Sequence, residues 1–475
     1  MQLHSAAALV GLAAFALPAS AQGSFTNLGP SFSFPTAVSA DGSIIAGDNQ
    51  FEFFVWNETD GGTLIGGSPG GNGGAGDASL AWDASALTGT RLNPSNGLQE
   101  MQRYDIESGT WTTTGNLGAS SGSSAGSGWG TSGDGQVSVG LGWISAGNAH
   151  GTSWSATTGL VDLGSTVANR SSRANACDYD GNVIVGWQDG VTGFRQGAIW
   201  VDGTQFKISL GGNQMGELGV VSGDGVWAGG KGVFANGGQA YIWSQDSGVI
   251  NLGHLDPTYD GSTTGLSADG KRAVGFDRPF GPALFGRGFY WTQATGMVDL
   301  NNLAANLGIN TQGVTMSLPL DISADGRTIV GAGLGPGGAT GWRLVLPEQD
   351  CGFQGYGYGL GLANELVLTG DGPLTPGTTV ELSVANAFGD NAVLALSTGQ
   401  SEFPLLGSLT ALLDLGGLIG IFPMTPTGGR ALFAAPLPTS PSLAGAILYG
   451  QSFAAEPTQP GLVAASNGMR VTFCP

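Results

Sequence analysis

Asp180-Gly181-Asn182-Val183-Ile184-Val185-Gly186 belongs to a series in which an Asp-Gly pair is followed, after four intervening residues, by another Gly. The phrase returns at Asp41, Asp134, Asp224, Asp269 and Asp325, and a degraded copy runs from Asp83 through Ala84 to Gly89. Successive aspartates lie 42, 51, 46, 44, 45 and 56 residues apart. Repetition at that period marks an array of similar units.

Each unit has more than its turn. A β-branched stretch follows the Asp-Gly pair, as in Ile44-Ile45 and Ile329-Val330. An aromatic stretch then ends at Trp56, Trp154, Trp200, Trp243, Trp291 or Trp342, with Tyr104 standing in for the degraded copy. A short apolar run to Leu-Gly closes the unit, for example Gly248-Val249-Ile250-Asn251-Leu252-Gly253. Alternation with turn signals at this spacing predicts about four short strands per unit, the size of a propeller blade. The Asp-Gly pair supplies the positive φ that a tight turn requires.

The two ends complement each other. The last unit reaches Trp342-Arg343-Leu344-Val345-Leu346 without a Leu-Gly strand, and Phe25-Thr26-Asn27-Leu28-Gly29 supplies that missing piece. A terminal strand completing the unit begun at the other end removes open sheet edges. The expected fold is all-β: a seven-bladed β-propeller over residues 22–348, closed by the N-terminal strand. The pattern Leu-Gly … Ser-Ala-Asp-Gly-x-x-x-Val-Gly … aromatic-x-Trp-x-x-x-x-Gly, over residues 25–346, resembles the HAF-type extracellular repeats of secreted bacterial proteins. That resemblance implies propeller-like blades and no defined biochemical role.

Past residue 348 the composition shifts to Leu, Ala, Pro and Gly. Strand-like runs at 365–368, 379–384, 392–396, 430–433, 446–449 and 469–473 predict a small antiparallel β-sandwich over residues 349–475. The ending Ser466-Asn467-Gly468-Met469-Arg470-Val471-Thr472-Phe473 resembles a C-terminal β module that recurs on otherwise different secreted bacterial proteins. The resemblance implies a task in attachment or export. Cys351 and Cys474 bracket this module, the placement of a disulfide pinning both its ends; in the chain-entropy model such a loop gains about 4–5 kcal/mol. Cys177, three residues before Asp180, reads as buried packing; Ser39, Ser267 and Ser323 each stand two residues before their Asp. Residues 403–424 are apolar enough to suggest a membrane span, but Asp414, four glycines and flanking prolines favour two buried strands. No transmembrane segment is expected.

Residues 1–21 read as a signal peptide: an apolar core at 9–17, Pro18, then the small-residue pattern Ala19-Ser20-Ala21. Its first residues carry neither Lys nor Arg. The expected location is therefore secreted or cell-surface. With 15 basic against 35 acidic residues the formal charge is −20, which repels phosphate backbones and argues against nucleic acid as a partner.

Chemistry-bearing motifs are sparse. His150 and His254 fall on different blades and read as solvated loop residues rather than a metal or catalytic pair. No His-Glu-x-x-His, Cys-x-x-Cys or Gly-x-Ser-x-Gly phrase occurs. One Asp per turn provides a single carboxylate per site, so turn chemistry accounts for Asp41, Asp83, Asp134, Asp180, Asp224, Asp269 and Asp325; calcium is the minor alternative, and no other cofactor is expected. Irregular insertions at 91–104 and 276–290 offer a candidate ligand patch of Arg91, Arg103, Arg278, Phe280, Phe285 and Arg287.

The leading expectation is a non-catalytic secreted or cell-surface binding or scaffold protein. Its partners would be cell-envelope components, a glycan or another surface protein. A glycan-acting hydrolase or lyase is the alternative, and it requires two carboxylates, or a Tyr and an Arg cluster, converging at the mouth of the propeller. A purely structural envelope protein is the third reading.

Overall fold

The computed structural model describes residues 23–67, 77–145, 147–279, 283–293, 295–347, 352–356, 366–371, 374, 378–385, 387, 391–406, 409–427, 430–437, 447–455 and 463–473. The predicted signal peptide, Cys351, Cys474 and Phe280 lie outside these residues. The described chain is all-β with β-propeller character, its one α-helix running over Leu300–Asn306.

Seven four-stranded antiparallel sheets are present among the described residues. Six are contiguous in sequence, spanning 34–66, 79–113, 126–162, 172–207, 218–253 and 260–299; they are called sheets 1 to 6 here. Sheet 7 takes Thr315–Ile322, Thr328–Gly335 and Gly338–Val345, and its fourth strand is Ser24–Gly29. That N-terminal strand pairs antiparallel with Gly338–Val345, Ser24 opposite Val345 and Asn27 opposite Trp342. Across the same seam Thr340 Oγ1 donates to Asn27 Oδ1 at 2.6 Å.

Buried side chains gather between neighbouring sheets rather than within one. Val139 of sheet 3 packs with Ala174, Ile184 and Trp200 of sheet 4. Val330 of sheet 7 packs with Val38, Ile45 and Phe54 of sheet 1. Burying such an aliphatic or aromatic side chain contributes roughly 1.5–3 kcal/mol, so these seams hold the sheets together. Trp200 and Trp342, predicted as strand ends, are 1% and 0% exposed.

The Asp-Gly phrase makes the loop between the first and second strand of each sheet. Gly42, Gly135, Gly181, Gly225, Gly270 and Gly326 all have positive φ, between 64° and 77°, and Ala84 of the degraded copy adopts φ 57° without being glycine. The glycine is needed twice over, because a Cβ there would collide with the preceding sheet. Gly42 abuts Thr328 of sheet 7, Gly181 abuts Val137 of sheet 3, and Gly270 abuts Trp227 of sheet 5. Main-chain bonds then run from turn to turn. Ala40 N donates to Trp82 O, Trp82 N to Gly133 O, Asp134 N to Tyr179 O, Tyr179 N to Gly223 O, Asp224 N to Ala268 O, Ala268 N to Ala324 O, and Ala324 N to Ala40 O. The circuit visits all seven turns and returns to its start.

The C-terminal strands form a five-stranded sheet, in which Gly352–Tyr356 pairs with Val463–Thr472, and a three-stranded sheet around Thr379–Ala385. Leu368, Val384 and Ala431 of the smaller sheet share a core with Leu394, Ala454 and Val471 of the larger. The apolar stretch 403–424 holds parts of three strands, Gln400–Leu406, Leu409–Leu413 and Leu418–Met424, rather than two. The last of them is not buried: Ile419 and Ile421 are exposed, because this strand lies at an edge of its sheet. Among the described residues no helix is long and apolar enough to cross a membrane.

Candidate functional site

One extra residue in most of the inner strands builds the site. Six of the seven innermost strands carry a bulge in their pairing with the second strand: at Thr36, Trp129, Asn175, Gly219, Thr264 and Leu320. A bulge leaves one residue unpaired and redirects its side chain. Each of the six lies five residues before the repeat aspartate, and all of them border one central cavity of about 290 Å³ except that Leu320 does so beside Asp321. Sheet 2 has only Ser79–Leu80 as its inner strand and contributes Asp77 and Ser79 to the same walls.

Neighbouring sheets share hydrogen bonds along these walls. Thr36 Oγ1 donates to Ala78 O at 2.7 Å, Thr131 Oγ1 to Ser79 O at 2.7 Å, Asn175 Nδ2 to Leu218 O at 2.7 Å, and Thr264 Oγ1 to Pro319 O at 2.8 Å. Asp321 closes the seam between sheets 7 and 1: its carboxylate accepts Val38 N at 2.8 Å and Ile322 N at 2.8 Å. Burial pushes that carboxyl up to about 7, and the two amide bonds offset only part of the rise.

Arg173 is the cationic side chain in the cavity wall. Its guanidinium lies 3.5 Å from the ring centre of Trp129 and 5.4 Å from that of Trp187, and Arg195 stacks on the second indole at 4.2 Å. Glu217 joins the two arginines, 3.8 Å from Arg173 Nη2 and 3.0 Å from Arg195 Nη1. Burial lowers the Arg173 guanidinium to about 10, with Glu217 pulling the other way. It keeps its charge at neutral pH.

Trp82 lines the cavity at its turn end, and Tyr179 packs against it. Both stand immediately before the repeat Asp, where the other five units have Ala40, Gly133, Gly223, Ala268 and Ala324. The Trp82 ring meets Tyr179 edge-on at 6.2 Å and reaches Gly223 of sheet 5, where a Cβ would overlap the indole. Gly133 leaves the same kind of room for Tyr179.

The residues expected to form a patch do not converge. Arg91 and Arg103 lie on a long hairpin of sheet 2, not on an irregular insertion; Arg91 stacks over Trp111 at 5.7 Å, and Arg103 Nε donates to Gly135 O. Arg278, Phe285 and Arg287 belong to the sheet 6 region. Arg278 lies near the Phe276 ring, and Arg287 is held by Asp299 at 2.8 Å beside a separate cleft. The histidines are not solvated: His150 sits on a strand with Nδ1 2.8 Å from Asp162, and His254, in a loop as expected, has Nδ1 3.3 Å from the fully buried Asp277.

The repeat aspartates are turn residues, and their environments differ. At Asp41 burial raises the carboxyl, but the Ser39 hydroxyl, which donates at 2.7 Å, and Ser43 outweigh it and draw it below the ordinary value. At Asp224 burial wins and pushes the carboxyl to about 6. Sheet 4 departs from the rest: Asp178 replaces the Ser two residues before the Asp, accepting Val183 N at 2.9 Å as Ser39 Oγ accepts Ile44 N. Burial, then repulsion from Asp180, pushes the Asp178 carboxyl well above its usual range. Cys177 is a buried free thiol at the cavity wall, its pKa also raised by burial. Among the described residues no group of three His, Cys, Asp or Glu side chains is placed to hold a metal ion.

No protein-family model matches the chain, and no curated protein does. Among solved structures it is similar to TolB from Acinetobacter baumannii, at 14% identity and TM-score 0.38, over 55% of this chain and 63% of that one. It is similar to oligogalacturonate lyase from Vibrio parahaemolyticus at 12% identity and TM-score 0.47, over 68% and 94% of the two chains. The β-propeller domain of the Trilobed protease from Pyrococcus furiosus matches at 12% identity and TM-score 0.42, over 68% and 94%. The match thus spans less than two thirds of the TolB chain.

Proposed function

We propose that the protein is a non-catalytic secreted or cell-surface binding protein of HAF-repeat type. In this reading residues 22–348 form a closed seven-bladed propeller, with the N-terminal strand completing the last blade. The circuit of turn hydrogen bonds and the pairing of Ser24–Gly29 with Gly338–Val345 support closure. Residues 349–475 form the attachment or export sandwich, pinned by a Cys351–Cys474 disulfide; Gly352 and Thr472, on strands adjoining the two cysteines, lie opposite each other.

One observation carries the binding reading. The same bulge position bears five different residue types in six sheets, Thr recurring in sheets 1 and 6, and all six residues border one cavity. A position that only packed the fold would repeat as the turns do. The ligand sits on the propeller axis, and the partner is a glycan, an envelope component or another surface protein; calcium is the minor ligand alternative. A thermal-shift screen of the mature chain against a small-molecule, calcium and glycan set tests this: a stabilising ligand whose effect Trp129→Ala removes is expected, and none sinks the reading. A chain truncated after residue 348 is expected to keep the ligand and change location.

A second reading, a glycan-acting enzyme, is favoured by Asp77, Glu217 and Asp321 lining the cavity together with Arg173. Against it, Glu217 is held by two arginines and both Asp321 oxygens accept main-chain amides. Release of reducing sugar that Glu217→Gln or Asp321→Asn abolishes would establish it over binding alone.

A further inference from the structure

We infer that the central cavity is a blind pocket for the terminal unit of a neutral saccharide chain. This deepens the binding reading above and rests on it.

The pocket is closed at the turn end. Trp82 of sheet 2 crosses to Gly223 of sheet 5, three sheets away around the circuit, and Tyr179 of sheet 4 meets its edge. Gly223 and Gly133 at two of the equivalent positions leave the space that these two rings fill. At the other end Asp77, six residues before its repeat aspartate, lies on the cavity wall. A pocket of this form takes the end of a chain and cannot be threaded by its middle.

The lining fits hydroxyl groups. Thr36, Thr131 and Thr264 already donate to main-chain carbonyls, so their hydroxyls offer acceptor lone pairs, as do Ser79 and the carboxyls of Asp77 and Glu217, while Ser262 and Arg173 add donors. A sugar hydroxyl both donates and accepts, so it matches such a mixture, whereas a purely anionic or cationic group uses half of it. Trp129 adds an aromatic wall of the kind on which the C–H face of a sugar ring packs. Three carboxyls face one guanidinium here, and that guanidinium is already shared between Trp129 and Glu217. With that guanidinium engaged by Trp129, Asn175 and Glu217, an anionic sugar or a phosphate finds no unpaired cation in the lining. At about 290 Å³ the cavity stands at the lower limit of ligand pockets, which run from about 300 to 1,000 Å³, so it holds one small unit.

The test is isothermal titration of the mature chain with neutral linear trisaccharides of α-glucan, β-glucan, mannan and galactan type, with α-cyclodextrin as the endless counterpart of the α-glucan, and with trigalacturonate. At least one neutral linear trisaccharide is expected to bind at least tenfold more tightly than trigalacturonate. Blocking that trisaccharide's non-reducing and reducing ends in turn is expected to abolish binding in one case. Trp129→Ala is expected to lose at least tenfold; Thr264→Val, which keeps shape and removes one hydroxyl, is expected to lose several-fold while the chain still unfolds cooperatively. Binding indifferent to both end blocks, equal binding of α-cyclodextrin and the linear α-glucan, or tighter binding of trigalacturonate overturns the inference. So does no binding by any neutral trisaccharide at millimolar concentration. If the saccharides fail while the screen above still yields a Trp129-dependent ligand, the saccharide assignment falls and the binding reading stands. If both fail, both fall.

Discussion

The turn and the bulge lie five residues apart on the same chain segment, yet they obey opposite rules. At the turn the seven units are nearly alike, because each must clear its neighbour and pass a hydrogen bond onward. At the bulge they read Thr36, Trp129, Asn175, Gly219, Thr264 and Leu320, with Ala78 at the equivalent place in sheet 2. Repetition therefore marks what the fold demands, and divergence on a repeated frame marks where a ligand could be read.

The largest effect should come from the seam that joins the two ends. Removing residues 22–29 leaves Gly338–Val345 with an unpaired edge, and association into oligomers is expected by size-exclusion chromatography with light scattering. A stable monomer would break the view that this strand seals the sheet. Next comes the turn glycine. Gly42→Ala combines positive φ with overlap onto Thr328, for about 2–5 kcal/mol, whereas Gly61→Ala has positive φ and open space, for about 1 kcal/mol. Equal losses in urea unfolding would show that backbone conformation alone, not inter-sheet contact, selects glycine.

Sheet 4 sharpens the comparison through pH. The folded Asp178 carboxyl titrates well above its unfolded value, so the native state binds the extra proton. Stability from this group is full below about pH 4 and declines as pH rises toward the folded value. Asp178→Asn should flatten that decline in denaturation curves taken from pH 4 to 8; an unchanged slope would remove Asp178 from the account. The smallest effect is expected at Ser222, whose hydroxyl accepts Trp227 N at 2.9 Å and donates to Asp224. Ser222→Ala should lose about 1–2 kcal/mol by urea unfolding, and no loss would mean that the turn holds without its serine.

The turns, the Trp strands and the complementary ends were legible in the sequence because each follows local rules: glycine for positive φ, alternation for strands, a missing strand matched by a spare one. Asp178 in the serine position is legible too, beside Cys177. The cavity is hidden in the sequence, because a single bulged residue breaks the alternation that identifies inward positions. Irregular spacing pointed elsewhere, to Arg91, Arg103 and Arg287, which are satisfied by Trp111, Gly135 and Asp299. Counting back five residues from each repeat aspartate would have named Thr36, Trp129, Asn175 and Thr264; counting back seven gives Arg173 and Glu217 on adjacent sheets.

The strand Ser24–Gly29 carries a consequence for the order of events in time. Its partner Thr340 is 313 residues further along the chain. Synthesis proceeds from the N-terminus, so this strand emerges before the six sheets that follow it and waits longest for its partner. Closing so long a loop is entropically the least favoured contact in the molecule, yet lengthening it adds only about 0.6 kcal/mol per doubling. Final assembly is thus a single late docking step, and a partner able to donate a substitute strand would have its opportunity in that interval.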